Sequence, residues 1–269
     1  MKVDSSKIDE YVAFATRLAE IAGREILPHF RARIEVENKG GVFGYDPVTV
    51  ADRAAETAIR AEIARVYPGH GIIGEEHGTI AGKDGFTWVI DPIDGTRAFI
   101  IGQLHWGTLI ALSDSSGPIV GVMRQPYTDE TFVGAPGLAE LRRGDAHTVL
   151  RTRKCERIED AVVCATDPRM FIDPAERRSF RRVSTAARLT RFGGDCYSYC
   201  MVAAGFVDLV IESMLQPYDI QPLVPIIESA GGIVTTWSGE APYQGGRIIA
   251  AGDPTVHRLA MKLLADEAA

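Results

Sequence analysis

From Ile8 the apolar residues Tyr11, Val12, Ala15, Leu18, Ala19, Ala22, Ile26 and Phe30 recur at intervals of three and four, the stripe of one long amphipathic helix. A second stripe, Ala51, Ala55, Ala58, Ile59, Ile63 and Val66, follows the Gly40-Gly41 break. It predicts a helix over about Thr49 to Tyr67, stopped by Pro68-Gly69. Between Phe86 and Val133 the period shortens. The runs Phe86 to Ile90, Gly107 to Leu112, Ile119 to Met123 and Glu130 to Val133, separated by Gly, Pro, Asp and Ser, predict a meandering, largely antiparallel sheet. Beyond Leu150 strands alternate with helices: a strand Ala161 to Ala165, a helix near Pro174 to Ala187, a Gly193-Gly194-Asp195 turn and a helix Cys196 to Ala204. A strand Val207 to Glu212 comes next, with a helix Asp219 to Ala230 kinked at Pro225, strands Gly232 to Thr236 and Ile248 to Ala251, and a closing helix. The change of texture divides the chain into an α+β half, 1–150, and an α/β half, 151–269. No linker composition lies between them, so one rigid interface is expected.

Composition narrows the function classes. With 269 residues, 46% of them hydrophobic, the chain can bury a core without a partner. A formal net charge of -7 argues against a dominant electrostatic grip on nucleic acid or anionic lipid. No run of about 18 apolar residues occurs, and a cytoplasmic protein with neither membrane nor nucleic acid as partner is expected. Cys155, Cys164, Cys196 and Cys200 form no CxxC pair and read as free thiols, the last two packed on one helix face. The histidines show no zinc spacing, and His70 and His77, beside Glu75-Glu76, read as loop residues. Arg177, Arg178, Arg181, Arg182, Arg188 and Arg191 read as a solvated helix face.

Acidic residues carry the chemistry. Asp52, the pair Glu75-Glu76, the pair Asp91 and Asp94, and Asp219 each lie at the end of a predicted element, where a rigid scaffold presents ligands. Such hard oxygen donors suit divalent cations that activate water and neutralise a phosphoryl group. In Asp91-Pro92-Ile93-Asp94-Gly95-Thr96 a buried strand ends in two acids three residues apart. Pro92 stiffens the turn, Gly95 admits a close ligand, and a helix starting near Thr96 would offer free N–H groups to phosphate.

The tracts Trp88-Val89-Ile90-Asp91-Pro92-Ile93-Asp94-Gly95-Thr96 and Pro217-Tyr218-Asp219-Ile220, the latter followed by Glu228-Ser229-Ala230-Gly231-Gly232, resemble the signatures of the inositol monophosphatase family of magnesium-dependent phosphatases. Pro47-Val48-Thr49-Val50-Ala51-Asp52 and Ile73-Gly74-Glu75-Glu76 support the resemblance, which spans nearly the whole chain. It implies an αβαβα layered sandwich, α+β in one half and α/β in the other, usually dimeric. It implies two or three Mg2+ ions on Glu75, Asp91, Asp94, Asp219 and the Ile93 carbonyl, with Asp52 supporting the cluster. Glu75 and Thr96 would orient the attacking water, and the amides of Gly95 and Thr96 would hold the phosphate. One departure is the long glycine-rich segment Gly40 to Tyr45, which puts in question the loop that often completes the metal site.

Three features resemble the histidinol-phosphate phosphatase branch: Arg97-Ala98-Phe99 after Thr96, Gly193-Gly194-Asp195-Cys196-Tyr197, and Gln216-Pro217-Tyr218-Asp219. Histidinol phosphate carries an ammonium and an imidazole, so a pocket for it should offer carboxylates, for which Asp195 and Glu212 are the candidates. Asp195 reads equally as a helix cap, and Glu212 would also suit an inositol hydroxyl. Arg97 is a substrate contact or a helix-flank residue. The expectation is hydrolysis of a small phosphorylated metabolite without a phosphoenzyme. Inositol-1-monophosphatase, a broad sugar phosphatase, and a catalytically silent scaffold stand as alternatives.

Overall fold

The first apolar stripe folds as α1 (Ser5–Ile26) in a computed structural model of the chain, which describes residues 5–33, 36–40 and 47–265. The helix ends before the expected Phe30 because Pro28 supplies no amide hydrogen, and Leu27–His29 tighten into a 3-10 turn. Phe30 is still buried. A two-stranded ladder, β1 (Val36–Asn38) and β2 (Pro47–Thr49), leads into α2 (Val50–Val66). The helix expected over about Thr49 to Tyr67 forms with Thr49 as its N-cap, and the Tyr67 amide closes its last turn on Ile63 O at 2.7 Å. Of the segment Gly40 to Tyr45, only Gly40 lies within the described residues, its amide donating to Asn38 Oδ1 at 2.9 Å.

The predicted meander is part of an eight-stranded sheet ordered β10-β9-β8-β7-β6-β5-β3-β4. Its strands are β3 (Gly71–Gly74), β4 (Gly78–Ile80), β5 (Thr87–Asp94), β6 (Gly107–Asp114), β7 (Gly117–Gln125), β8 (Glu130–Ala135), β9 (Leu138–Arg143) and β10 (Ala146–Val149), with the single-turn α3 (Thr96–Ile100) between β5 and β6. All neighbours are antiparallel except β3 and β5, which run parallel and so end side by side.

Beyond residue 150, β11 (Val162–Ala165), β12 (Leu189–Phe192), β13 (Leu209–Leu215), β14 (Ile233–Thr236) and β15 (Gly246–Ala251) form a five-stranded mixed sheet ordered β12-β11-β13-β15-β14. Its helices are α4 (Pro174–Ala186), α5 (Asp195–Ala203), α6 (Pro217–Ile220), α7 (Leu223–Ser229) and α8 (Pro254–Ala265). The helix expected over Asp219 to Ala230 is two helices. Pro222 precedes α7 as its N-cap and Pro225 falls in the first turn, where no intrahelical N–H is needed, so the predicted kink is absent.

Three apolar clusters define the layers. Tyr11, Leu18 and Ile59 of α1 and α2 pack with Trp88 and Ile110 on one face of the large sheet. Leu109 and Phe132 on its other face meet Tyr199, Val224 and Ile227 of α5 and α7, which also cover Val210 and Ile248 of the small sheet. Phe180 and Val183 of α4, with Val256 and Ala260 of α8, close the outer face of the small sheet. The result is the αβαβα sandwich expected from the sequence. All four cysteines are buried free thiols, with Cys196 and Cys200 in the middle cluster as read. The arginine face of α4 is only partly solvated, since Arg182 Nε donates to Leu263 O at 2.7 Å and Arg177 Nη2 to Ile172 O at 2.9 Å.

Candidate active site

Strand β5 runs buried to its last residue, and its register against β6 shifts between Asp91 and Asp94. The irregularity lets two acids of one strand turn toward the same space. Asp91 Oδ1 accepts the Ile93 amide at 3.0 Å, and Pro92 O accepts the Thr108 hydroxyl at 2.8 Å, which fixes the turn. Gly95 then takes φ +81°, and a Cβ there would lie 2.6 Å from His105 O, so glycine is required. The Thr96 hydroxyl donates to Ile93 O at 2.9 Å. The helix expected after Gly95 is only the five-residue α3.

Glu75 arrives from the parallel neighbour. Its amide donates to Ile90 O at 3.3 Å, bringing the turn after β3 against the end of β5, where its charge acts on Asp91. The turn has an anchor that sequence reasoning missed. Glu56 of α2, fully buried and paired with Arg60 at 2.7 Å, accepts the amides of Glu76 at 2.7 Å and His77 at 3.1 Å. Lys39 was also missed. Its ammonium bridges Glu75 at 3.0 Å and Glu76 at 2.8 Å.

Asp219 comes from α6, where its Oδ2 accepts the Gln216 amide at 2.7 Å. Asp94 Oδ2 accepts the Cys196 amide of α5 at 2.7 Å. Asp91, Asp94 and Asp219 each offer an oxygen within 4.8 Å of the others. Burial first, and then the neighbouring carboxylates, push Asp91 and Asp219 well above the usual carboxylate range; burial also raises Asp94 and Glu75. A buried cluster of oxygen donors that repels itself fits a hard divalent cation. Ile93 O accepts one hydrogen bond and keeps a second lone pair for such an ion. Asp52 Oδ2 accepts the amide and hydroxyl of Thr49 at 2.8 and 2.6 Å, and burial pushes Asp52 up to about 6, with the Glu76 charge acting in the same direction.

The acids open on a cleft of about 370 Å³ walled by Glu75, Asp91, Asp94, Thr96, Arg97 and Asp219 among others. Behind Asp94 and Asp219 a smaller cavity of about 90 Å³ is lined by Asp195, Glu212, Tyr199 and Thr166. Glu212 accepts the Thr166 amide at 2.7 Å and the Tyr199 hydroxyl at 2.9 Å, and burial pushes it up to about 7. Asp195 does not cap α5. The cap position is Gly194, without a side-chain cap bond, and Asp195 is a left-handed residue with φ +42°. Burial, then the charges of Asp94 and Glu212, raise Asp195 well above its ordinary value, while the Arg97 charge works against them. Arg97 therefore lies on the cleft wall rather than on an outer helix flank. Thr166 and Asp167, also in the wall, were overlooked although they follow a predicted strand, the same signal that marked the other acids.

An αβαβα sandwich that gathers oxygen donors where its strands end is the fold of the sugar phosphatases. The chain matches the model of the inositol monophosphatase family over residues 7–268, and it belongs to that family of phosphatases. It is 36% identical to the bifunctional phosphatase IMPL2, chloroplastic, of Arabidopsis thaliana, over 98% of this chain and 77% of that one. It is 31% identical to a histidinol-phosphatase of Chlorobaculum parvum, over 91% of this chain and 92% of the relative. Among solved structures, an inositol monophosphatase from Zymomonas mobilis superposes with a TM-score of 0.84 at 37% identity, covering 95% of this chain and 98% of that one. Among the described residues no helix is long and apolar enough to cross a membrane.

Proposed function

We propose that the chain is a magnesium-dependent phosphomonoesterase whose substrate is L-histidinol phosphate, hydrolysed to L-histidinol and phosphate. The observation that carries the reading is the pairing of two acidic sets. Asp91, Asp94 and Asp219 converge within 4.8 Å, and Asp195 and Glu212 line the adjoining cavity. The first set, with Glu75 and the Ile93 carbonyl, would hold two or three Mg2+ ions. Bound magnesium supplies the positive charge that acidifies water and neutralises the phosphoryl oxygens.

This chain's own groups do the rest. The Thr96 hydroxyl donates its hydrogen bond to Ile93 O and so keeps lone pairs to accept from a water that Glu75 also orients. The amides of Gly95 and Thr96 hold phosphate oxygens, and Asp52 steadies the cluster from the start of α2. Arg97, Asp195 and Glu212 face the leaving group. Two buried carboxyls suit an ammonium or imidazolium, and the histidinol-phosphatase relatives favour the same substrate. We read the protein as a cytoplasmic homodimer of two halves divided near residue 150; light scattering tests the assembly.

The deciding experiment compares magnesium-dependent kcat/KM for histidinol phosphate, inositol 1-phosphate, fructose 1,6-bisphosphate and 3′-phosphoadenosine phosphate. A preference of about a hundredfold for histidinol phosphate, worth roughly 2.7 kcal/mol, supports the substrate. A flat profile supports a broad inositol or sugar phosphatase, which Glu212 alone would also serve. No turnover on any of the four supports the scaffold.

A further inference from the structure

Strand β13 carries a bulge where the two cavities meet. Its register against β15 passes from Glu212 opposite Ile248 to Leu215 opposite Gly246, so Ser213 and Met214 together face the single residue Arg247. Met214 takes φ +67°, a left-handed conformation rare for a side chain of its size. Among the described residues four non-glycines have positive φ, and Met214 and Asp195 both line these cavities. On the far side, Gly245 lies so close to β13 that a Cβ there would fall 2.1 Å from Leu215 O. The residues from Ser213 to Gln216 wall the cleft and join Glu212 to Asp219.

One carboxylate spans the bulge from outside the cleft. Glu176, in the first turn of α4, accepts the hydroxyl of buried Ser213 on Oε2 at 2.8 Å, while its Oε1 faces Arg247 Nε at 3.8 Å. Glu176 thus fixes the bulged strand by a hydrogen bond and meets the opposing strand through a longer ion pair to a half-exposed arginine. We infer that Glu176 is a positioning residue: by clamping Ser213 and Arg247 it holds the Met214 bulge, and with it the wall against which the leaving group is selected. A change of register here would move the Glu212 wall relative to Asp219.

The inference rests on the cleft being the phosphatase site, and the test separates the two. In Glu176→Ala the ratio of kcat/KM between histidinol phosphate and inositol 1-phosphate should change roughly tenfold, mainly through KM. Inhibition by inorganic phosphate, which has no leaving group, should stay as in the parent. Glu176→Gln, which still accepts from Ser213, should restore most of the ratio. Ser213→Ala should reproduce Glu176→Ala without adding to it in the double variant, and it serves if Glu176→Ala does not fold. Equal loss on both substrates and on phosphate binding, or no change at all, overturns the clamp. Should the parent hydrolyse neither substrate, the phosphatase reading falls and the crystal structure of Glu176→Ala decides. A lost bulge supports the clamp; a left-handed Met214 still opposite Arg247 overturns it.

Discussion

Asp91 concentrates the conflict of the site: it is buried among Glu75, Asp94 and Asp219, whose charges all oppose its own. Asp91→Asn should therefore cut activity at least about a hundredfold, as expected for losing a group closer to the metal than a supporting partner, without lowering the melting temperature of the metal-free protein. An active variant would remove the metal assignment. Asp195→Asn acts differently, because it leaves the cluster intact. Loss of a charged hydrogen bond costs about 1.5–3 kcal/mol, so kcat/KM for histidinol phosphate should fall roughly ten- to a hundredfold while inositol 1-phosphate is little affected. Equal effects on both substrates would argue against a cation at that wall. These acids were legible in sequence because each lies at the end or the start of a predicted element, within a recognisable tract. Glu56, Lys39 and Ser213 were not, since the groups through which they support the site lie 20 or more residues away in the chain, and the i,i+4 pairing of Glu56 with Arg60 reads as an ordinary helix-surface pair.

At the scale of elements, the parallel pair β3 and β5 delivers Glu75 to Asp91, and α2 secures the delivery through Glu56. Gly74 admits that arrangement, for a Cβ there would lie 2.1 Å from Glu56 Oε1. Gly74→Ala should destabilise by about 1–3 kcal/mol in urea and lower kcat together with metal affinity. Glu56→Ala strands Arg60 and two amides, and should cost about 3–5 kcal/mol. A Gly74→Ala protein with normal stability and activity would refute the anchoring role. The long strands and helices were readable because one face of each is buried. The β9–β10 hairpin was missed because Ala146–Val149 is exposed throughout and Leu138–Arg143 is half-buried on both faces, leaving no alternation to detect. Helices α6 and α7 merged in the sequence reading because the break at Gln221-Pro222 is short and apolar residues, Ile220 and Leu223, stand on both sides of it.

The whole molecule stores the burial of its acids, and then their mutual repulsion, as a pH dependence. Burial raises Asp52 from 3.8 to about 6 and Glu212 from 4.5 to about 7, and raises Glu75, Asp91, Asp94, Asp195 and Asp219 as well. A carboxyl with a raised folded pKa favours the fold most when both states are protonated, and that advantage is lost as pH climbs through the folded value. The metal-free protein should therefore lose stability between pH of about 4 and about 7, the reverse of ordinary acid denaturation. Magnesium, which binds the ionised cluster, should raise the melting temperature more at pH 7.5 than at pH 5. A magnesium effect that is absent, or equal at the two pH values, would count against the cluster as the cation site.

Sequence by itself determined the α+β half, the α/β half and the set of acids, because hydrophobic period and residue type at element ends are local properties, and the αβαβα layering followed from the resemblance of its motifs to a known family. Only the tertiary structure decided which acids meet, that Asp195 faces the cavity instead of capping α5, and that Glu56 and Glu176 support the site from helices outside it. Those outcomes depend on strand register, on the parallel placing of β3 beside β5 and on close approach at Gly74, Gly95 and Gly245. Such contacts join segments far apart in the chain, and the physics that selects them is the packing of layers rather than the pattern within any one of them.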